Sequence, residues 1–229
     1  MKKYFSLALF LISFMAVNAQ DCTPWFPFTQ GTAFEYSFFD KKDKPVSRIE
    51  YLVKDVTSGG SGISATVQST LYDKKDNEAG IFEFTVSCIE GSYRANVSNF
   101  MNPALKDMFG SVELTVTGDD LVIPKDIKVG DKLPDANSHM ETEMGIITMK
   151  MDMEVTNREV IGKEKVTTPA GAFDAFKVTS DEHIKMAIMN RSSSSVYYYA
   201  PGFGQVRYEY FDKKGNLDSY MLLTKFEKP

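Results

Sequence analysis

Apolar and polar residues alternate with a period of two along most of this chain, and that pattern predicts β-strands rather than helices. Residues 33–39 (Ala-Phe-Glu-Tyr-Ser-Phe-Phe), 63–72 and 81–89 alternate cleanly. Ile49, Tyr51 and Val53 alternate with Glu50, Leu52 and Lys54, and Tyr93, Ala95 and Val97 share one face of 92–97. Shorter strands follow at 112–116 and 121–123, the latter ended by Pro124, and 129–134 reads as loop. In 144–159, Ile147, Met149, Met151, Met153 and Val155 occupy one side while Thr148, Lys150, Asp152, Glu154 and Thr156 occupy the other. This strand has a methionine-lined face, which serves either an ordinary core or a cavity that adapts to variable apolar guests. Strands are also expected at 160–168, 173–178 and 182–190, with a polar turn at 191–195. The last stretch, 195–226, reads as a two-stranded hairpin approached through the corner Tyr199-Ala200-Pro201-Gly202-Phe203-Gly204. There proline fixes one φ and the glycines free the next.

Two segments break the alternation. Trp25-Phe26-Pro27-Phe28 is apolar but interrupted by proline, so it should be irregular and packed against something. Asn102 as cap, Pro103 in the first position and Gly110 as terminator predict one short helix over 103–109. The turns carry an echo: Phe39-Asp40-Lys41-Lys42-Asp43, Tyr72-Asp73-Lys74-Lys75-Asp76 and Phe211-Asp212-Lys213-Lys214-Gly215. Solvent-facing hairpin turns favour such residues. The other reading, lysine pairs meeting an anionic surface, is weakened by the neighbouring aspartates.

Residues 1–19 have the basic start, apolar run and small-residue end of a secretory signal peptide, with cleavage expected between Ala19 and Gln20. That leaves one β-rich domain over 20–229, allowing two sub-halves that meet near 124–140, in the periplasm or outside the cell. The formal net charge of −5 becomes more negative once Lys2 and Lys3 are removed, which argues against a nucleic-acid partner. Cys22 and Cys88 are the two cysteines, and in an oxidising compartment they are expected to form a structural disulfide.

Catalytic and metal chemistry is poorly supplied. His139 and His183 are the two histidines, and neither sits in a recognisable nucleophile or zinc motif. A copper site using His139, Met140 and Met144 is disfavoured, because alternate residues of a strand stack along a face instead of closing round an ion. Asp152 and Glu182 are a carboxylate pair that a cleft could bring together. No cofactor, metal or enzymatic activity is expected.

Val166-Thr167-Thr168-Pro169-Ala170-Gly171-Ala172-Phe173-Asp174-Ala175-Phe176-Lys177-Val178, Tyr199-Ala200-Pro201-Gly202-Phe203-Gly204-Gln205-Val206-Arg207-Tyr208-Glu209 and Gly215-Asn216-Leu217 resemble exported Bacteroidetes proteins of the DUF3108-like family, a domain of unknown function. Cys22 with Pro27, Gly31-Thr32, the Tyr36 strand and Cys88 with Gly91 resemble its amino-terminal half. Phe203 departs from the pattern, where valine is common. The resemblance implies a strongly curved antiparallel sheet (a half-barrel, a barrel or two packed sheets) with one short helix, similar to outer-membrane lipoprotein carriers. Such a sheet leaves a concave apolar face that needs a plug, a second sheet or a ligand, and the helix at 103–109 is the expected plug.

The resulting expectation is a monomeric, non-enzymatic envelope protein binding a lipid-like or other apolar ligand. Tyr51, Val67, Phe84, Met149, Met151, Met153, Phe176 and Tyr208 are its expected contacts. The alternative is a structural or protein-interaction module with an envelope protein partner, favoured by the tyrosine run, because alternate rings must face outward.

Overall fold

Alternating segments of this kind satisfy their backbone groups only by pairing, and here they pair into one sheet. The computed structural model describes residues 25–60, 62–96, 114–144, 147–187 and 189–229. Among them are β1 (Ala33–Asp40), β2 (Pro45–Gly59), β3 (Gly62–Asp73), β4 (Glu78–Ile89), β5 (Ser92–Asn96), β6 (Leu114–Gly118) and β7 (Asp120–Ile123). There follow β8 (Ala136–Met144), β9 (Ile147–Thr168), β10 (Gly171–Met186), β11 (Met189–Ala200), β12 (Gly204–Phe211) and β13 (Leu217–Glu227). The order across the sheet is β6-β8-β9-β10-β11-β12-β13-β1-β2-β3-β4-β5-β7, with antiparallel neighbours throughout. The final hairpin lies at its centre, where β13 pairs with β1 from Ala33↔Glu227 to Asp40↔Ser219.

The two edges are consecutive in the chain, and this bends the sheet into a nearly closed barrel. β6 pairs with β8 as far as Gly118↔Ser138; one residue later the chain crosses to β5, starting at Asn96↔Asp120. Asp119 N–H donates to Asn137 O across the crossing at 2.9 Å. Gly118 has φ +130°, and a Cβ there would lie 2.3 Å from Asn137 O, so only glycine fits. The buried Arg158 of β9 ties the seam from inside, its Nη1 donating to Val122 O at 3.0 Å and Pro134 O at 2.6 Å. Strand β9 bends where Asn157 takes φ 52° and the β9–β10 register shifts twice, as bulges do in a strongly curved sheet.

The plug comes from the amino-terminal side. Trp25 packs edge-on against Phe176 (5.7 Å) and Tyr199 (6.5 Å), while Phe26 meets Phe34 and Tyr93 (both 6.0 Å) on the other side of the barrel. Trp25 Nε1 also donates to Pro124 O at 2.7 Å. The expectation that this proline-broken segment packs against something therefore holds. The carboxy-terminal corner is shaped by the same segment: Gly204 has φ +86°, and a Cβ there would sit 2.9 Å from Trp25 O. Gly204→Ala should cost about 2 kcal/mol, from the left-handed backbone and the displaced plug together, measured as a lowered denaturant midpoint with unchanged slope.

Several expectations need correction. Among the described residues there is no helix, and what they form is β; the helix expected at 103–109 lies outside them. No disulfide joins two described residues, because Cys22 lies outside them; Cys88 is buried in the core on β4. Residues 136–144 form β8, which lacks apolar alternation and went unpredicted. The strand expected at 182–190 breaks at 187, and the serines placed in a turn at 191–195 lie within β11.

Candidate functional site

The barrel interior is the candidate site, and period two decides which side chains reach it. On β8 and β9, Met140, Met151, Met153 and Val155 are buried, whereas Lys150 and Glu154 are exposed. Registers Met140↔Met151, Met153↔Ile184 and Met151↔Met186 carry this apolar face across three strands. Of the eight expected contacts, Val67, Met151, Met153 and Phe176 are buried, and Tyr51, Phe84 and Tyr208 are half-buried against the same core. The side chain of Met149 lies outside the described ones. The structure brings them together as two groups. Tyr51 and Phe84 meet edge-to-face at 5.6 Å beside Val67, with Phe34 at 5.1 Å from Tyr51. Phe176 belongs to the opposite wall and is joined to that group through Trp25 and Phe26.

One buried acid stands in this wall, and it was missed as an inward residue. Glu182 is 4% exposed on β10, in the same alternation as Ile184 and Met186. Tyr197 Oη donates to Glu182 Oε1 at 2.5 Å, and Tyr208 Oη lies 3.3 Å from both carboxylate oxygens. Ser195 Oγ is 3.0 Å from Tyr208 Oη. Burial raises the Glu182 pKa above the ordinary range and outweighs the lowering by its bonds to Tyr197, Ser195 and Tyr208. Burial likewise pushes Tyr199 up to about 12. The pattern that reveals Glu182 is visible in the sequence, since strict alternation from Met186 backwards places it inward. The serines of β11 follow from it: Ser193 and Ser195 are buried on the same side.

Alternation also separates the proposed catalytic groups. Asp152 is half-exposed on the outside of β9, opposite in face to buried Glu182, so the two do not form a carboxylate pair. His139 faces outward, its Nδ1 2.6 Å from Asp152 Oδ1, while Met140 beside it is buried. That rules these two neighbours out as ligands of one copper ion. The hydrogen bond to Asp152 raises the His139 pKa. His183 Nδ1 lies 3.0 Å from Ser192 Oγ at the exposed surface. Among the described residues, no group of three His, Cys, Asp or Glu side chains could hold a metal ion. The tyrosine expected outside, Tyr198, does face outward, yet it is covered: its Oη donates to Glu209 Oε2 at 3.1 Å, and Lys177 and Arg207 lie over its ring at 5.5 and 5.8 Å. It offers no exposed aromatic patch.

Described residues also form two surface depressions. One, of about 310 Å³, is lined by residues that include Asn157, Asp181, Ser194 and Phe211; the other, of about 320 Å³, by Glu35, Glu50, Tyr51 and Lys225 among others. Neither is lined by the methionines.

Residues 29–223 match the DUF3108-like family. Two solved structures share the fold. An exported protein with a YmcC-like fold from Bacteroides fragilis is 22% identical, with a TM-score of 0.77, and a lipoprotein from Parabacteroides distasonis is 23% identical, with a TM-score of 0.79. Each alignment covers 90% of this chain and 100% of the other. No curated protein matches the chain.

Proposed function

We propose that this chain, which belongs to the DUF3108-like family, is a non-enzymatic exported protein that holds an apolar or amphiphilic molecule inside its barrel. The observation that carries the reading is the composition of the β8–β11 wall. Adaptable methionines line it and, among the described residues, one buried hydrogen-bonded acid, Glu182, interrupts it. Few well-placed polar groups in an apolar surround are what small-molecule sites use to fix orientation. Export is supported by the signal-like residues 1–19 and by the descriptions of the two structural neighbours as exported and as a lipoprotein. Met151, Met153, Phe176 and Tyr208 on one side and Tyr51, Val67 and Phe84 on the other are the proposed contacts, with Met149 continuing the methionine row. Occupancy of the interior requires Trp25 and Phe26 to yield or to form one wall of the cavity.

Native mass spectrometry of protein purified from its own envelope tests this. A lipid-like mass should travel with the protein and be released on denaturation. Recovery of bare polypeptide, together with no fluorescence gain from N-phenyl-1-naphthylamine, would overturn it.

A further inference from the structure

One charge inside the barrel has no counter-charge. Arg158 of β9 is 2% exposed and is the one buried lysine or arginine among the described residues. Its Nη1 is taken up by the seam, donating to Val122 O at 3.0 Å and Pro134 O at 2.6 Å. Its Nε and Nη2 donate to no described residue. Burial lowers its pKa, and Tyr199, Tyr197 and Asp135 oppose that from a distance without pairing with it. Glu182 does not supply the missing charge: it is not among the groups that act on Arg158, and Tyr197, Ser195 and Tyr208 already bond to it. A guanidinium keeps its charge, and a buried ion is ordinarily paired because leaving water is costly.

Hydroxyls near this guanidinium lack partners as well. Ser180 is 2% exposed, and its Oγ has no hydrogen-bond partner. It faces the bulge that carries Arg158, between the pairs Thr179↔Glu159 and Asp181↔Thr156. The Tyr199 ring is buried and its hydroxyl bonds to no described residue; burial raises its pKa and the Arg158 charge lowers it in part, so the phenol lies within the field of the guanidinium. The Tyr93 hydroxyl likewise bonds to no described residue, and its pKa is raised first by burial and then by Tyr199 across the barrel. Buried polar groups are normally hydrogen-bonded, so leftover donors converging on a lone cation mark a place for an acceptor. Apolar surface leads away from it. From Arg158 back to Met151 the strand runs roughly 20 Å, with Val155 and Met153 also buried between them.

We propose that the molecule held in the barrel is a single-chain amphiphile with an anionic head, bonded by Arg158 Nε and Nη2 and the Tyr199 hydroxyl, with its acyl tail along the methionines of β9. This rests on the reading of the interior as the site of an apolar or amphiphilic molecule and assigns the headgroup of that molecule. The planar fork of a guanidinium bonds two oxygens of a carboxylate or phosphate at once. A neutral head would leave the charge unpaired, and a cationic head would repel it.

Titration of the exported chain, freed of co-purified lipid on a hydrophobic resin, provides the test. Trp25 is the single tryptophan and packs against Tyr199, so its fluorescence reports binding. Dodecanoate and dodecyl phosphate, below their micelle concentrations, carry the two anionic heads on the same tail as dodecanol. At least one of the anions should bind about tenfold or more tightly than dodecanol, and which one does so separates the carboxylate source from the phosphate source. Arg158→Gln should abolish that preference and leave dodecanol affinity unchanged. Tyr199→Phe keeps the ring and the seam and should weaken the anion by about threefold, which decides the matter if the Arg158 variant does not fold. Equal binding of the three compounds, or a preference that survives both substitutions, would overturn the headgroup assignment and leave the reading of the interior standing. Binding of none of the three would overturn both.

Discussion

Replacing Trp25 by alanine should remove about 4 kcal/mol of folding stability, within the range for deleting a buried aromatic side chain. It should also lower the melting temperature by roughly 10 °C for a domain of this size. Trp25 is 4% exposed, touches Phe176 and Tyr199, and supplies the only described side-chain hydrogen bond to Pro124 O. The loss would therefore leave both a cavity between the walls and an unpaired carbonyl. Phe39→Ala makes the comparison informative. Phe39 stacks on Tyr220 at 5.0 Å as a cross-strand pair outside the core, and its loss should cost about 1 kcal/mol. Similar costs for the two substitutions in urea unfolding would show that the amino-terminal segment does not plug the barrel.

The second large effect is a stability that falls as pH rises, and Glu182 is its source. Its folded-state pKa is raised above the unfolded value, first by burial. The protonated carboxyl thus contributes fully below the unfolded pKa, and that contribution fades as pH rises through the folded pKa. Each pH unit between the two is worth about 1.4 kcal/mol. Tyr197 and Tyr208, the phenols facing it, have their own pKa values pushed well up by burial and stay neutral throughout this window. Glu182→Gln keeps the size of the side chain and removes the titration. The difference in unfolding free energy between wild type and this variant should move in favour of the variant from pH 4.5 to pH 8. His139, exposed and also raised in pKa, cancels in that difference. Parallel pH profiles for the two proteins would refute the assignment.

Much of this architecture was legible because a half-buried strand writes its two faces into alternate residues. Met151 and Met153 were placed inward, and Lys150 and Asp152 outward, by period two alone, and the structure keeps them there. Strand β8 was not legible: in Ala-Asn-Ser-His-Met-Glu-Thr-Glu-Met the inward Ala136 and Ser138 are too small or too polar to signal a core face. The serines of β11 failed for a related reason, since Ser193 and Ser195 line a polar patch set by Glu182, and local composition reads such a run as turn. Pairings between distant segments left no local trace. The seam at Gly118 and the contact between Gly204 and Trp25 O both place glycine where another backbone passes, and sequence shows only the glycine.

The pairing of β13 with β1 sets the order in which the protein can be made. Lys225 reaches Glu35 at 2.8 Å across 190 positions of chain, and the pairing runs the length of β1 with one register shift, between Glu35 and Tyr36. A ribosome or a translocation pore delivers β1 early and β13 last. Until then β1 has only β2 beside it, and the central seam of the sheet stays open. Closing a loop of that length before any compensating contact forms is slow, so completion of the fold waits until β13 has emerged. A chain ending before 217 would carry two permanently unpaired edges, at β1 and β12, where pairing with a second copy replaces folding.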